Sequence, residues 1–267
     1  MGTHELGRPI EVSVLSRLSA DKPEPTPDKR WYGRRHGRKL RPGRQVLVNV
    51  LLPKLRIAPP EDGNGPVDLD TLFPITPKAF WMEIGFGTGE HLAAIAANHP
   101  DIGFIGCEPF VNGVASLLAK IQEQDITNVR IFDDDVRLLI KHLPGSCLDR
   151  IFILFADPWP KSRHKRRRMT VPENLAEFTR LLADDGHLVF ASDQHDFAAW
   201  TLANILREPA LEWTARRPSD WKMEPDDWFP TRYQLKAQGK GLAPVFIEVR
   251  RRPRDAILPM GLARGKA

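Results

Sequence analysis

A chain of 267 residues, 42% hydrophobic and 27% charged, has room for one domain of about 200 residues with appendages, or for two small domains, around a sizeable core. Two cysteines, Cys107 and Cys147, exclude a disulfide scaffold and make a reduced, cytoplasmic setting the expectation; no apolar run nears the roughly 18 residues of a membrane span, and no charged-then-apolar leader opens the chain. The net charge of +5 comes from 39 Lys+Arg against 34 Asp+Glu, a modest excess that matters only through where it sits.

Residues 1–28 are polar and proline-rich and are expected to be a disordered tail. Residues 29–78 read as a basic arm, a short helical stripe (Val46, Leu47, Val50, Leu51) ending at Pro53, and an irregular proline-rich linker. A regular pattern then fills 79–252. Strands are predicted at Ala79–Ile84, Gly103–Cys107, Val129–Phe132, Arg150–Phe155, His187–Ala191 and from Val245. Between them lie helical patterns beginning near Leu92, at Val111–Ile121, at Val136–His142, from Pro172 to a stop at Gly186, and at Phe197–Ile205. Strands alternating with helices mean an α/β fold with a mainly parallel sheet. Residues 253–267 are expected to be a flexible tail.

Positive charge is concentrated in two runs. Lys29–Arg44 holds eight basic residues and Lys161–Arg168 holds six, and neither contains an acid; the remainder of the chain is net acidic. Such patches attract a polyanion without reading its sequence, which points to a nucleic-acid partner.

The turn after the first strand reads Glu83-Ile84-Gly85-Phe86-Gly87-Thr88-Gly89-Glu90. Glycine at a strand-to-helix turn permits positive φ and close ligand approach. The spacing is G-x-G-x-G, not the G-x-G-x-x-G of dinucleotide enzymes, and acids flank it, which suits a cationic ligand better than a pyrophosphate. Glu108 ends the second strand, where a carboxylate can accept from both ribose hydroxyls. After the fourth strand comes Phe155-Ala156-Asp157-Pro158-Trp159-Pro160-Lys161, a stiffened corner offering a carboxylate and a stacking face.

These features together resemble the class I S-adenosylmethionine-dependent methyltransferases, whose Rossmann-like, mainly parallel seven-stranded sheet with helices on both faces is then the expected architecture. The resemblance implies cofactor contacts from Glu83, Gly85, Gly87, Gly89, Glu108 and Asp157, and, among Asp133, Asp134 and Asp135, favours Asp135. The stretch from Phe155 into Ser162-Arg163-His164-Lys165-Arg166-Arg167-Arg168 is similar to the signature of the tRNA (guanine-N7)-methyltransferases. Asp193 after the fifth strand and Thr231-Arg232-Tyr233-Gln234 extend the likeness, although Gln234 stands where that family has Glu.

The resemblance implies methyl transfer from S-adenosyl-L-methionine to N7 of a guanine in tRNA, at position 46 of the variable loop. Asp157 is the catalytic candidate. Lys161, Asp193, Thr231, Arg232, Tyr233 and Gln234 are expected to contact substrate. Arg163, His164, Lys165, Arg166, Arg167 and Arg168 are expected to hold RNA, with the basic arm adding a grip that folds on binding. Guanine N7 is a bare acceptor, so no general base is needed, and the eight scattered histidines are expected to be structural or on the surface. No metal, membrane or obligate protein partner is expected. Three rivals differ visibly. An adenine amino-group methyltransferase would carry D-P-P-Y at Asp157–Pro160, a dehydrogenase would need the other glycine spacing, and a non-catalytic RNA-binding module would not need the acidic and glycine positions.

Overall fold

The computed structural model describes residues 34–59 and 65–256. The expectations for residues 1–28, for the start of the basic arm (29–33) and for 257–267 lie outside the described residues.

The apolar runs form the sheet. Strands β1 (Ala79–Ile84), β2 (Ile102–Cys107), β3 (Val129–Phe132), β4 (Leu148–Leu154), β5 (Leu182–Ser192), β6 (Leu211–Trp213) and β7 (Val245–Arg251) line up in the order β3-β2-β1-β4-β5-β7-β6. The first five pair in parallel, and β7 runs antiparallel to both β5 and β6. The helices are α1 (Pro42–Val50), α2 (Leu52–Leu55), α3 (Glu90–Asn98), α4 (Val111–Glu123), α5 (Val136–Ile140), α6 (Pro172–Leu181), α7 (His195–Ile205) and α8 (Arg232–Gln238).

Alternate strand residues feed two cores, as a sheet covered on both faces requires. Leu139 of α5, Phe178 of α6 and Phe197 of α7 join Ile105, Ile151 and Phe190 in one. Leu92 and Ile95 of α3 and Leu117 and Leu118 of α4 join Phe104, Phe152 and Val189 in the other. Phe104, Phe178, Phe190 and Phe197 are all buried, and each such side chain stabilises the fold by about 1.5–3 kcal/mol. Among the described residues no helix is long and apolar enough to cross a membrane.

Strand order reverses between β1 and β4, which opens a crevice at their carboxyl ends. The glycine turn follows β1, Glu108 follows β2, Asp157 follows β4 and Asp193 follows β5, so the topology delivers all four to one edge of the sheet.

Four readings of the sequence need correction. The first helix does not stop at Pro53; it breaks at Leu51, and Pro53 opens the short α2, where a missing N–H costs nothing. The proline-rich segment is no mere linker, because Ile57, Val67, Leu69 and Phe73 are buried. Helix α6 ends at Leu181 rather than running to Gly186. Leu182 is already extended and pairs with Leu148, and the ladder resumes only at His187 opposite Arg150, so residues 183–186 bulge from the strand. Finally, the C-terminal tail begins later than residue 253, since the Arg254 guanidinium donates to Leu182 O at 2.9 Å and pairs with Asp184.

Candidate active site

Gly85, Gly87 and Gly89 all adopt positive φ (73°, 57° and 74°), as the turn requires. Nothing lies within 4 Å of where a Cβ on Gly85 would stand, whereas Gly89 packs on Leu117 and Gly87 faces Tyr233. The loop is held from below by Glu108, whose carboxylate accepts from Gly87 N (2.8 Å) and Phe110 N (2.9 Å). Gly113 in α4 carries no side chain because Gly87 O occupies the place; a Cβ there would lie 2.2 Å from that oxygen. This contact was missed in the sequence, although a glycine in the first turn of a helix, where it costs about 1 kcal/mol against alanine, was the signal.

Glu108 is buried, and desolvation lifts its pKa above the ordinary glutamate range against the two backbone hydrogen bonds; the nearby carboxylates of Asp157 and Glu83 push the same way. These three acids therefore lie within electrostatic reach of one another. A raised value means the folded state holds the proton more tightly than the unfolded chain. This group's stabilising contribution is thus fullest below the ordinary glutamate value and is lost as pH rises through the raised one. A ligand donating hydroxyls to the carboxylate has the opposite dependence. Calorimetric titration with S-adenosylhomocysteine from pH 8 downward is expected to show affinity falling at a higher pH than an ordinary glutamate would give, and Glu108→Gln is expected to flatten that profile.

Glu83 is not an open carboxylate facing a ligand. It is buried, and its Oε2 is bonded to Nδ1 of the equally buried His91 at 2.8 Å. Asp135 is similarly committed. It caps α5 by accepting from Arg137 N (3.0 Å) and Arg137 Nε (2.8 Å), so the acid expected at the cofactor is the most fully engaged of the three. Asp134 pairs with Arg35 and Asp133 with Arg56. Arg35 O also accepts from Val111 N, Gly37 N donates to Asn112 Oδ1, and Arg44 donates to Ala115 O. This stretch of the basic arm is thus docked along α4 and does not await RNA to fold.

Asp157 is exposed in a loop whose two ends are bent hard. Phe155 (φ 51°) and Trp159 (φ 43°) are both left-handed, a conformation that non-glycine residues hold only when the surroundings impose it. Phe155 N is tied to Ala191 O at 2.8 Å. Pro158 O accepts from Arg168 Nε at 2.7 Å.

That bond overturns one expectation. Arg168 is only 3% exposed, and its guanidinium lies 4.9 Å from the ring centre of Phe197 and 4.8 Å from that of Trp200, so it braces the loop instead of gripping phosphate. Arg167 is half-buried over the Trp159 ring. His164 meets the same ring edge-on; partial desolvation, then Arg167, Arg163, Lys161 and Arg166, hold its pKa below the usual value. Lys161, Arg163, Lys165 and Arg166 are exposed. Arg168→Ala is expected to lower stability by about 2–3 kcal/mol, seen as a lower melting temperature. Arg166→Ala is expected to leave melting unchanged and to reduce the salt slope of RNA binding by about one.

Asp193 is half-buried and takes a hydrogen bond from Gln194. On the other side, Thr231 caps α8, its hydroxyl accepting from Gln234 N (3.0 Å). Arg232 and Tyr233 are exposed, Tyr233 beside Gly87. Gln234 is fully buried and is not at the mouth of the cleft: its Oε1 accepts from Trp228 Nε1 (2.7 Å) and its Nε2 donates to Glu224.

Comparison with known proteins gives this cleft its context. A sequence-family profile described as "Putative methyltransferase" matches residues 77–245. A tRNA (guanine-N(7)-)-methyltransferase of Rhodospirillum rubrum is 48% identical over 87% of this chain and 92% of its own length. One from Paramagnetospirillum magneticum is 46% identical over 84% and 94%. Among solved structures, the 16S rRNA methyltransferase KamB superposes with a TM-score of 0.50 over 66% of this chain and 89% of that one; at 13% identity it speaks for the fold alone. An acid-lined crevice at the switch point of a seven-stranded sheet, in a chain nearly half identical to such relatives over most of their length, has one reading: the chain belongs to the tRNA (guanine-N7)-methyltransferase family of Rossmann-like methyltransferases.

Proposed function

We propose that this protein transfers a methyl group from S-adenosylmethionine to N7 of a guanine in tRNA, in the variable loop at position 46, with residues 79–252 as the catalytic domain. The observation that carries the reading is the three-glycine loop bonded to Glu108, at the same sheet edge as Asp157, within a chain 48% identical to a tRNA (guanine-N(7)-)-methyltransferase.

The residues present fit the cofactor. The open space over Gly85 admits a ligand against the backbone, Glu108 offers a carboxylate to ribose hydroxyls, and the local surplus of carboxylates suits a cation. S-adenosylmethionine supplies an electrophilic methyl group on a positively charged sulfur. Gly85, Gly87 and Glu108 would hold it, with Tyr233 closing over the loop.

Guanine N7 carries a lone pair and no proton, so no residue has to remove one. What remains is alignment and charge. Asp157 would hydrogen-bond the guanine edge, orient N7 in line, and offset the positive charge that the ring gains. Asp193 supports it from β5. Trp159, with Arg167 over its ring and His164 against its edge, stiffens the loop beside Asp157. Lys161, Arg163, Lys165 and Arg166 hold phosphates around the loop. A-form duplex hides its major-groove edges from side chains, so the guanine must be unstacked or in a loop, as in the variable region.

The test is incubation with unmodified tRNA transcript and labelled cofactor, followed by nucleoside analysis. Label in 7-methylguanosine is expected, and its loss on changing guanine 46 would place the target. Label in methyladenosine, or none, would remove the proposal.

A further inference from the structure

A chain of polar contacts that the transfer reaction does not itself use runs from exposed Glu224 through half-buried Trp228 and fully buried Gln234 toward the buried pair His91 and Glu83. Trp228 Nε1 can only donate and the Glu224 carboxylate can only accept, so they fix the orientation of the Gln234 amide between them: oxygen toward Trp228, nitrogen toward Glu224. The Trp228 ring packs against Phe246 (centroids 5.0 Å apart, edge-on) and against the His91 ring (5.1 Å). His91 in turn bonds Glu83, two residues before Gly85. At its other end the same segment carries Tyr233, whose Cε2 would lie 3.3 Å from a Cβ on Gly87. Residues 224–234 thus reach the loop twice, through Trp228 and His91 and through Tyr233.

We infer that Gln234 is a positioning residue for cofactor binding, a neutral clasp between Trp228 and Glu224 that sets the glycine loop and Tyr233. The inference rests on reading the cleft as an S-adenosylmethionine site. It also explains why an amide stands at 234. A buried carboxylate there could still accept from Trp228, but it would have no hydrogen to donate to Glu224; the exposed Glu224 would swing into solvent and leave the buried charge with a single partner. Moving the amide to the other partner restores the match: Glu at 234 accepts from Trp228, and Gln at 224 donates to it.

The experiment is a double-mutant cycle on the whole chain, read by calorimetric affinity for S-adenosylhomocysteine, filter-binding affinity for tRNA, and melting temperature. Gln234→Glu is expected to weaken S-adenosylhomocysteine binding about tenfold or more while tRNA affinity stays within about twofold. Gln234→Glu with Glu224→Gln is expected to return to within about threefold of the parent. Steady-state kinetics should place the effect in KM for the cofactor more than in kcat. Parental affinity in Gln234→Glu, or a swap as weak as the single change, overturns the inference. Should Gln234→Glu fail to fold, Trp228→Phe keeps the ring and removes the donor; it is expected to bind S-adenosylhomocysteine a few-fold more weakly, and parental affinity there overturns the clasp as well. A parent that binds no S-adenosylhomocysteine overturns the reading of the cleft itself. A parent that binds it, with a cycle that does not close, overturns only the clasp.

Discussion

Asp157→Ala is expected to lower kcat for guanine methylation by about 10²- to 10³-fold, the usual scale for removing one preorganised electrostatic partner of a developing charge. Asp157 is exposed, so the melting temperature should not move. Asp157→Asn separates two contributions, since the amide keeps hydrogen-bonding capacity and the loop shape but loses the charge; an intermediate rate is expected. Single-turnover measurement at saturating cofactor and tRNA is the appropriate check, because it isolates the transfer step. A folded alanine variant turning over at the parental rate would remove Asp157 from the chemistry. The loop around it is shaped for placement. Left-handed Phe155 and Trp159 each carry strain of about 1–3 kcal/mol, and Arg168 and the Phe155–Ala191 hydrogen bond hold the shape.

The second large effect concerns a residue with no side chain. Gly113→Ala should help α4, since alanine in a helix gains about 1 kcal/mol over glycine. Sterics decide otherwise. The new methyl would sit 2.2 Å from Gly87 O and 3.1 Å from Gly87 C, and a backbone carbonyl cannot swing aside like a side-chain tip. Relieving such overpacking costs about 1–3 kcal/mol, and the group that must move is the glycine turn itself. S-adenosylhomocysteine affinity is therefore expected to fall about a hundredfold, equivalent to about 2.7 kcal/mol. Gly43→Ala in α1 is the matched control. Nothing lies within 4 Å of that position, and neutral or slightly raised stability is expected. Parental affinity in Gly113→Ala would show that the turn yields without consequence.

The parallel strands were legible because burial on both faces demands unbroken apolar runs, and Ala79–Ile84 and Val129–Phe132 have the bounds the pattern predicts. The end of α6 was not legible. Leu181 and Leu182 both continue the apolar stripe, and only pairing with Leu148, far away in sequence, makes Leu182 a strand residue. Strand β6 has three residues and α8 reads RYQLKAQ, too short and too polar for any periodicity to stand out. Within the site, residue types and spacing located the positive-φ turn at Gly85, Gly87 and Gly89 and the strand-end acid Glu108 that bonds it. They could not carry Arg168. Six cations in eight positions look alike until Phe197 and Trp200, thirty residues on, close over one of them. The internal partners of Glu83, Asp135 and Gln234 (His91, Arg137, Trp228) were hidden for a related reason: local sequence does not reveal them as such.

The placement of β7 between β5 and β6 has a bearing on synthesis. Among the described residues, strand β6 pairs with the sheet only through β7, so residues 211–213 gain that pairing once residues 245–251 have left the ribosome. The Trp228–Phe246 contact ties the cofactor side to the same late arrival. A nascent chain stalled before that strand would expose an open edge on β5 and an unfinished pocket, making the interval before release the one in which this enzyme is most exposed to aggregation and proteases.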